Sequence, residues 1–129
     1  MCVLAERPAL YFDQPPPSDV IAHVGGSVYI NCSARSRDAG QVEVTWLREG
    51  RDAVVGVARR SVSEAGALVV APVMMTSHSV AGDDGVYVCV ARRGNVSIVS
   101  TPVTLHIACE SLYVVLHRAT MLCNIHLIK

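Results

Sequence analysis

The chain is predicted to fold as an all-β domain, an antiparallel sandwich of two sheets, on three observations. Short segments alternate apolar and polar residues at period two, as in Val28, Ile30 and Cys32 against Tyr29, Asn31 and Ser33. Turn signals such as Gly25-Gly26 and Gly94-Asn95 punctuate these segments. Finally, Trp46 stands 14 residues after Cys32, and Cys89 stands 57 after it at the end of Asp83-Asp84-Gly85-Val86-Tyr87-Val88-Cys89.

The segments can be justified in chain order. Residues 14–19, Gln-Pro-Pro-Pro-Ser-Asp, remove three amide donors and cannot form a central strand, so they predict a kink that splits an edge strand in two. After the Gly25-Gly26 turn comes the alternating strand that contains Cys32. In the next strand Val42, Val44 and Trp46 share the inward face, with Glu43, Thr45 and Leu47 outward. Gly66 precedes a short run in which Leu68 and Val70 point inward, and residues 74–82 then form a long connection. On the strand that follows, Tyr87, Cys89 and Ala91 face the core, and Arg92-Arg93-Gly94-Asn95 makes a hairpin turn. Val103, Leu105 and Ile107 close the sandwich, with Pro102 at a place that only an edge strand or a bulge tolerates. This organisation gives an amino-terminal flank over 1–7, one domain over 8–108 and a tail over 109–129. In the tail Leu112, Val115, Leu116, Ala119, Leu122 and Cys123 fall at helical spacing, which fits either an amphipathic helix or a segment with no defined fold.

The set Cys32, Trp46, Tyr87 and Cys89 matches the inter-sheet disulfide, core tryptophan and tyrosine corner of an immunoglobulin-like sandwich, here of the intermediate (I-set) type. The match implies a bridge from Cys32 to Cys89, which on the chain-entropy model contributes about 4 kcal/mol. It also implies that Tyr87 returns its hydroxyl to main chain. Asp83 is expected to meet an arginine, with Arg59 and Arg60 the candidates, or else to be solvated.

Lys+Arg and Asp+Glu both total 11, so the net charge is zero and no field favours nucleic acid as a partner. Of the five cysteines, Cys2, Cys109 and Cys123 lie outside the domain, and an odd total in an oxidising compartment leaves a thiol free or paired between chains. The opening Met-Cys-Val-Leu-Ala-Glu-Arg has neither a basic leader nor an apolar stretch of signal-peptide length. No run approaches the roughly 20 apolar residues of a bilayer span, so any leader or anchor is expected in other parts of the protein.

Two sequons occur, Asn31-Cys32-Ser33 and Asn95-Val96-Ser97. Such signals in a secreted domain imply glycosylated surface amides, and Asn95, in its turn, is the better acceptor. Val86, Val88 and Val90 alternate outward and, with Leu47, predict an apolar stripe, either a contact surface for a protein partner or a face covered by neighbouring side chains or a glycan. Arg48, Arg51, Arg59, Arg60, Arg92 and Arg93 raise the expectation of a patch for sulfated polysaccharide, against scattered solvated charges. No Gly-x-Ser-x-Gly, His-Glu-x-x-His or phosphate-cradling loop is present, and the histidines are dispersed, so neither an enzyme, a metal site nor a cofactor is expected.

Residues 8–108 resemble the first immunoglobulin domain of the DCC, neogenin and Frazzled class of netrin receptors, with protogenin a cousin. The likeness lies in Leu10-Tyr11-Phe12, in Gly26-Ser27-Val28-Tyr29-Ile30-Asn31-Cys32-Ser33-Ala34, in Arg59-Arg60 through Gly66-Ala67-Leu68-Val69-Val70, and in Asp83 to Ala91. Ser97-Ile98-Val99-Ser100 through Leu105-His106-Ile107-Ala108 and the long 74–82 connection share it. The resemblance implies an extracellular recognition module of a membrane receptor in guidance or adhesion, whose partners are a protein ligand or neighbouring immunoglobulin domains. Two other readings are an adhesion domain of an unrelated cell-surface protein and an intracellular spacer of the muscle-filament kind. Residues 109–129 resemble nothing in that class, which points to a truncated or mis-spliced end, or to a short isoform whose tail pairs through Cys109 or Cys123.

Overall fold

The computed structural model describes residues 9–76 and 81–108 of the 129-residue chain. The flank over 1–7, the tail, Cys2, Cys109, Cys123 and the middle of the 74–82 connection lie outside the described residues. Among those described there are eleven strands and no helix.

Strand β1 (Leu10–Gln14) pairs antiparallel with β4 (Ser33–Ser36), whereas β2 (Asp19–His23) runs parallel to β11 (Val103–Ala108). The three prolines between β1 and β2 therefore do more than kink one strand. They carry the chain from one sheet to the other, and β2 forms the one parallel pair of the described ladders. Prolines fit this crossing because their missing amides have no ladder to serve there.

The larger sheet has the order β2-β11-β9-β5-β6, with β10 (Val96–Val99) also on β9; here β5 is Glu43–Arg48, β6 Arg51–Asp52 and β9 Gly85–Arg93. The facing layer contains β3 (Val28–Ile30), β8 (Leu68–Val70) and β7 (Arg60–Val62), in the order β3-β8-β7. The β1-β4 pair belongs to this layer too, because β3 and β4 are two halves of one extended stretch interrupted at Asn31-Cys32.

At that interruption Cys32 crosses to Cys89 on β9, with the two Cα atoms 6.6 Å apart. Trp46 packs in the same layer of the core. Its indole Nε1 donates to the Gly66 carbonyl at 2.9 Å, fixing the turn between β7 and β8 against the tryptophan edge. Gly66 holds φ +97°, and a Cβ there would lie 2.6 Å from the Cys32 carbonyl oxygen, so only glycine fits. Ile30, Leu68, Val70, Val73, Val103 and Leu105 fill the rest of the core, all essentially buried.

The break between β10 and β11 falls at Ser100-Thr101-Pro102, so Pro102 lies in the break and β11, between β2 and β9, is not an edge strand. Ser100 bridges the break: its hydroxyl accepts from the Cys89 amide at 2.9 Å and donates to the Thr101 carbonyl at 2.8 Å. The hairpin turn is tighter than expected. Arg92 and Arg93 belong to β9, and only Gly94, at φ +61°, and Asn95 form the turn.

Candidate functional site

The buried end of the sandwich is organised by Asp83, which receives both candidate arginines. Its Oδ1 accepts from Arg59 Nη2 at 2.7 Å and from Arg60 Nε at 2.8 Å, and its Oδ2 accepts from the Met74 amide at 2.7 Å. Arg60 spends its remaining donors on the Ala53 and Gly82 carbonyls at 2.8 and 3.2 Å. The Tyr87 hydroxyl donates to the Asp83 carbonyl at 2.6 Å, closing the tyrosine corner. The Arg48 and Arg60 guanidinium groups lie over its ring, 5.9 and 6.0 Å from the centroid. Burial raises the Tyr87 hydroxyl above the ordinary tyrosine range, against the pull of Arg60 and Arg48. The Asp83 carboxylate, the Arg60 guanidinium and the Tyr87 hydroxyl are all engaged in holding the sandwich, whereas Arg48 Nε and Arg59 Nε are buried without a hydrogen-bond partner.

The polysaccharide expectation is not supported, because most of its arginines are engaged within the domain. Arg59 and Arg60 are consumed by Asp83, Arg48 donates to the Asp84 carbonyl at 2.6 Å, and Arg93 pairs with Asp38 at 3.0 Å. Arg92, opposite Glu43 at one end of β5, and Arg51, opposite Arg48 at the other, are both exposed. The six arginines form no basic patch.

The solvent side of the larger sheet is a better candidate. Because Tyr87, Cys89 and Ala91 are buried, the alternation of β9 turns Val86, Val88 and Val90 outward. Register places Leu47 opposite Val88 and Thr45 opposite Val90 on β5. On the other flank it places Val99 opposite Val90 and Thr104 opposite Val86. Leu47, Val88 and Val90 are half-buried by each other, whereas Val86 and Val99 are 42% and 61% exposed. The four predicted residues thus come together, and Val99 extends them.

One end of the face is closed by Glu43 and Arg92, and beyond the other end Asp19 meets His106 at 3.0 Å. An apolar centre with charges at its ends suits contact with a protein surface. Asn95 sits outside the apolar area, exposed at the tip of the β9-β10 hairpin, and Asn31 is exposed in the opposite layer.

Among the described residues, no group of His, Cys, Asp and Glu side chains is placed to hold a metal ion, and no helix is long and apolar enough to cross a membrane.

Residues 13–107 match the family model described as immunoglobulin domain. The fold is similar to tandem Ig repeats of Dlar, at 21% identity over 80% of this chain and 51% of that one, TM-score 0.64. It is also similar to the N-terminal four Ig domains of Dscam1 isoform 8.4, at 25% identity over 78% and 26%, TM-score 0.64. A third similar structure, the titin M10 and obscurin-like 1 Ig complex, has 19% identity over 78% and 94%, TM-score 0.62. The chain thus spans about half of the Dlar structure and about a quarter of the Dscam1 structure. No curated protein sequence matches.

Proposed function

This chain belongs to the immunoglobulin domain family, and on that premise we propose that it is an extracellular recognition module of a cell-surface receptor in adhesion or axon guidance, of the netrin-receptor kind. The outward face of Leu47, Val86, Val88, Val90 and Val99 carries the proposal. Apolar side chains left to water on the outer side of a closed sandwich lower the free energy only when another surface covers them.

The partner is a protein ligand or a neighbouring immunoglobulin domain. The likeness to Ig repeats of Dlar and Dscam1 supports the receptor setting, and the segments shared with the DCC class support guidance as the context. An accessible Asn95 sequon at the hairpin tip supports an extracellular location, with a glycan there that leaves the apolar face open.

An intracellular spacer is the rival from a different class, and the Ig complex of titin M10 and obscurin-like 1 has the same fold. The Cys32–Cys89 bridge argues against it, because disulfides rarely persist in the cytosol. Non-reducing peptide mapping of the protein taken from its native tissue separates the two. A linked Cys32–Cys89 peptide supports the receptor module, and free thiols at both positions support the spacer.

A further inference from the structure

We propose that the two sequons are read at different stages of folding: Asn95 accepts an N-linked oligosaccharide from the unfolded and the folded chain alike, whereas Asn31 accepts one only before Cys32 closes its bridge to Cys89. The inference rests on the extracellular reading above. It adds a competition between two covalent events at adjacent residues.

In the transfer, Asn Nδ2 forms a bond to the anomeric carbon of a lipid-linked oligosaccharide. The bond from that carbon to the diphosphate breaks, the lipid diphosphate leaves, and the amide gives up one proton. The Ser hydroxyl two residues on is part of the signal, so the segment must present amide and hydroxyl together and be free to bend into the transferase.

The folded chain denies that freedom at Asn31-Cys32-Ser33. Before the sequon, Ile30 is in register with Leu68. Cys32 is tied to Cys89, and its carbonyl is packed where a Cβ on Gly66 would come within 2.6 Å. Ser33 is in register with Gln14, and its hydroxyl is hydrogen-bonded to the Asp13 carboxylate, the first cause holding that carboxyl below its ordinary range. Asn31 itself is exposed, so a sugar attached earlier clashes with nothing in the closed domain, but the segment that the transferase must bend is held just before it at Ile30 and within it at Cys32 and Ser33.

The second sequon is held only by the β9-β10 ladder, with Val96 opposite Arg93 and Ser97 opposite Arg92, and no disulfide crosses it. Asn95 lies in a two-residue turn, Val96 and Ser97 are exposed, and β10 has β9 as its ladder partner at the open end of a hairpin. Hairpin tips of this kind open at low cost. A sugar on Asn31 therefore marks molecules in which transfer outran bridge formation, and the ratio of the two glycoforms records how fast the bridge closes.

The test uses the full 129-residue chain with an added secretory leader, expressed in eukaryotic cells. Site occupancy is measured by mass spectrometry on total cell protein after enzymatic deglycosylation in heavy-oxygen water. It compares the natural sequence, Cys89→Ser, and the natural sequence made under a pulse of dithiothreitol, which keeps Cys32 from pairing with any other cysteine. Asn31 occupancy is expected to rise several-fold in both perturbed samples while Asn95 occupancy holds. Equal Asn31 occupancy in all three, whether high or nil, overturns the coupling, and so does an Asn95 site that stays empty. Because the leader is supplied, either failure leaves the extracellular reading standing; that reading falls on free thiols in the native protein.

Discussion

Arg60 and Asp83 form an ion pair sealed inside the sandwich, 2.8 Å between Arg60 Nε and Asp83 Oδ1, with side chains 6% and 0% exposed. Arg59, at 22% exposure, shares the same oxygen from nearer the surface. Removing one member of a buried pair strands the other charge, which costs about 3–5 kcal/mol. Asp83→Ala is therefore expected to lose that amount in urea denaturation, a large share of the stability of a domain this size. Arg59→Ala, nearer to water, is expected to lose about 1 kcal/mol. Equal losses for the two variants would contradict the hierarchy.

Tyr87 gives a pH dependence with a definite sign. Its folded-state value is raised by burial, so the folded chain holds the phenolic proton more tightly than the unfolded chain. The resulting stability is complete below about pH 10, the ordinary tyrosine value, and is lost as pH climbs from there through the folded value. Tyr87→Phe gives up the hydrogen bond to the Asp83 carbonyl, about 1 kcal/mol at neutral pH. The gap between the natural chain and this variant is expected to hold up to about pH 10 and to narrow as pH rises further, read by denaturation at each pH. A constant gap would show that the hydroxyl does not titrate with folding.

Gly66 is expected to tolerate no side chain. Gly66→Ala places a methyl at φ +97° and against the Cys32 carbonyl, for a loss of about 1–3 kcal/mol. The same change disturbs the acceptor of the indole hydrogen bond, and Trp46 is the sole tryptophan of the chain. Its fluorescence should move to longer wavelength in the folded variant as the indole edge meets water. An unshifted spectrum with full stability would contradict the role given to this turn.

Much of the core was legible because period-two alternation decides which way a strand residue points. Once Cys32, Trp46, Tyr87 and Cys89 were placed inward, Val86, Val88 and Val90 had to face out. Features that depend on distant partners were less legible. The prolines at 15–17 announced a kink, but the parallel pairing of β2 with β11 is a choice of a strand far along the chain. Arg59 and Arg60, at the start of a strand, were alternatives for Asp83, whereas two guanidinium groups converge on one oxygen. The arginine patch was misread because nothing local shows that a carboxylate or carbonyl elsewhere will engage a side chain. Val99 escaped notice because the ladder breaks just after it, at Ser100, and alternation cannot be carried across a break.

The central claim is that the outward valine face is a contact surface, and binding by a face variant tests it most directly. A bivalent form of the chain is titrated onto live neurons beside the double variant Val86→Glu, Val99→Glu and a control, Val55→Glu, at a site 76% exposed in the loop after β6. Exposed substitutions of this kind change stability by only about 0.5 kcal/mol, so all three proteins should melt alike. Burying two carboxylates in an apolar contact should weaken binding by about tenfold or more, while the control binds as the natural chain does. Equal binding by the double variant, or no saturable binding by the natural chain, would contradict the account.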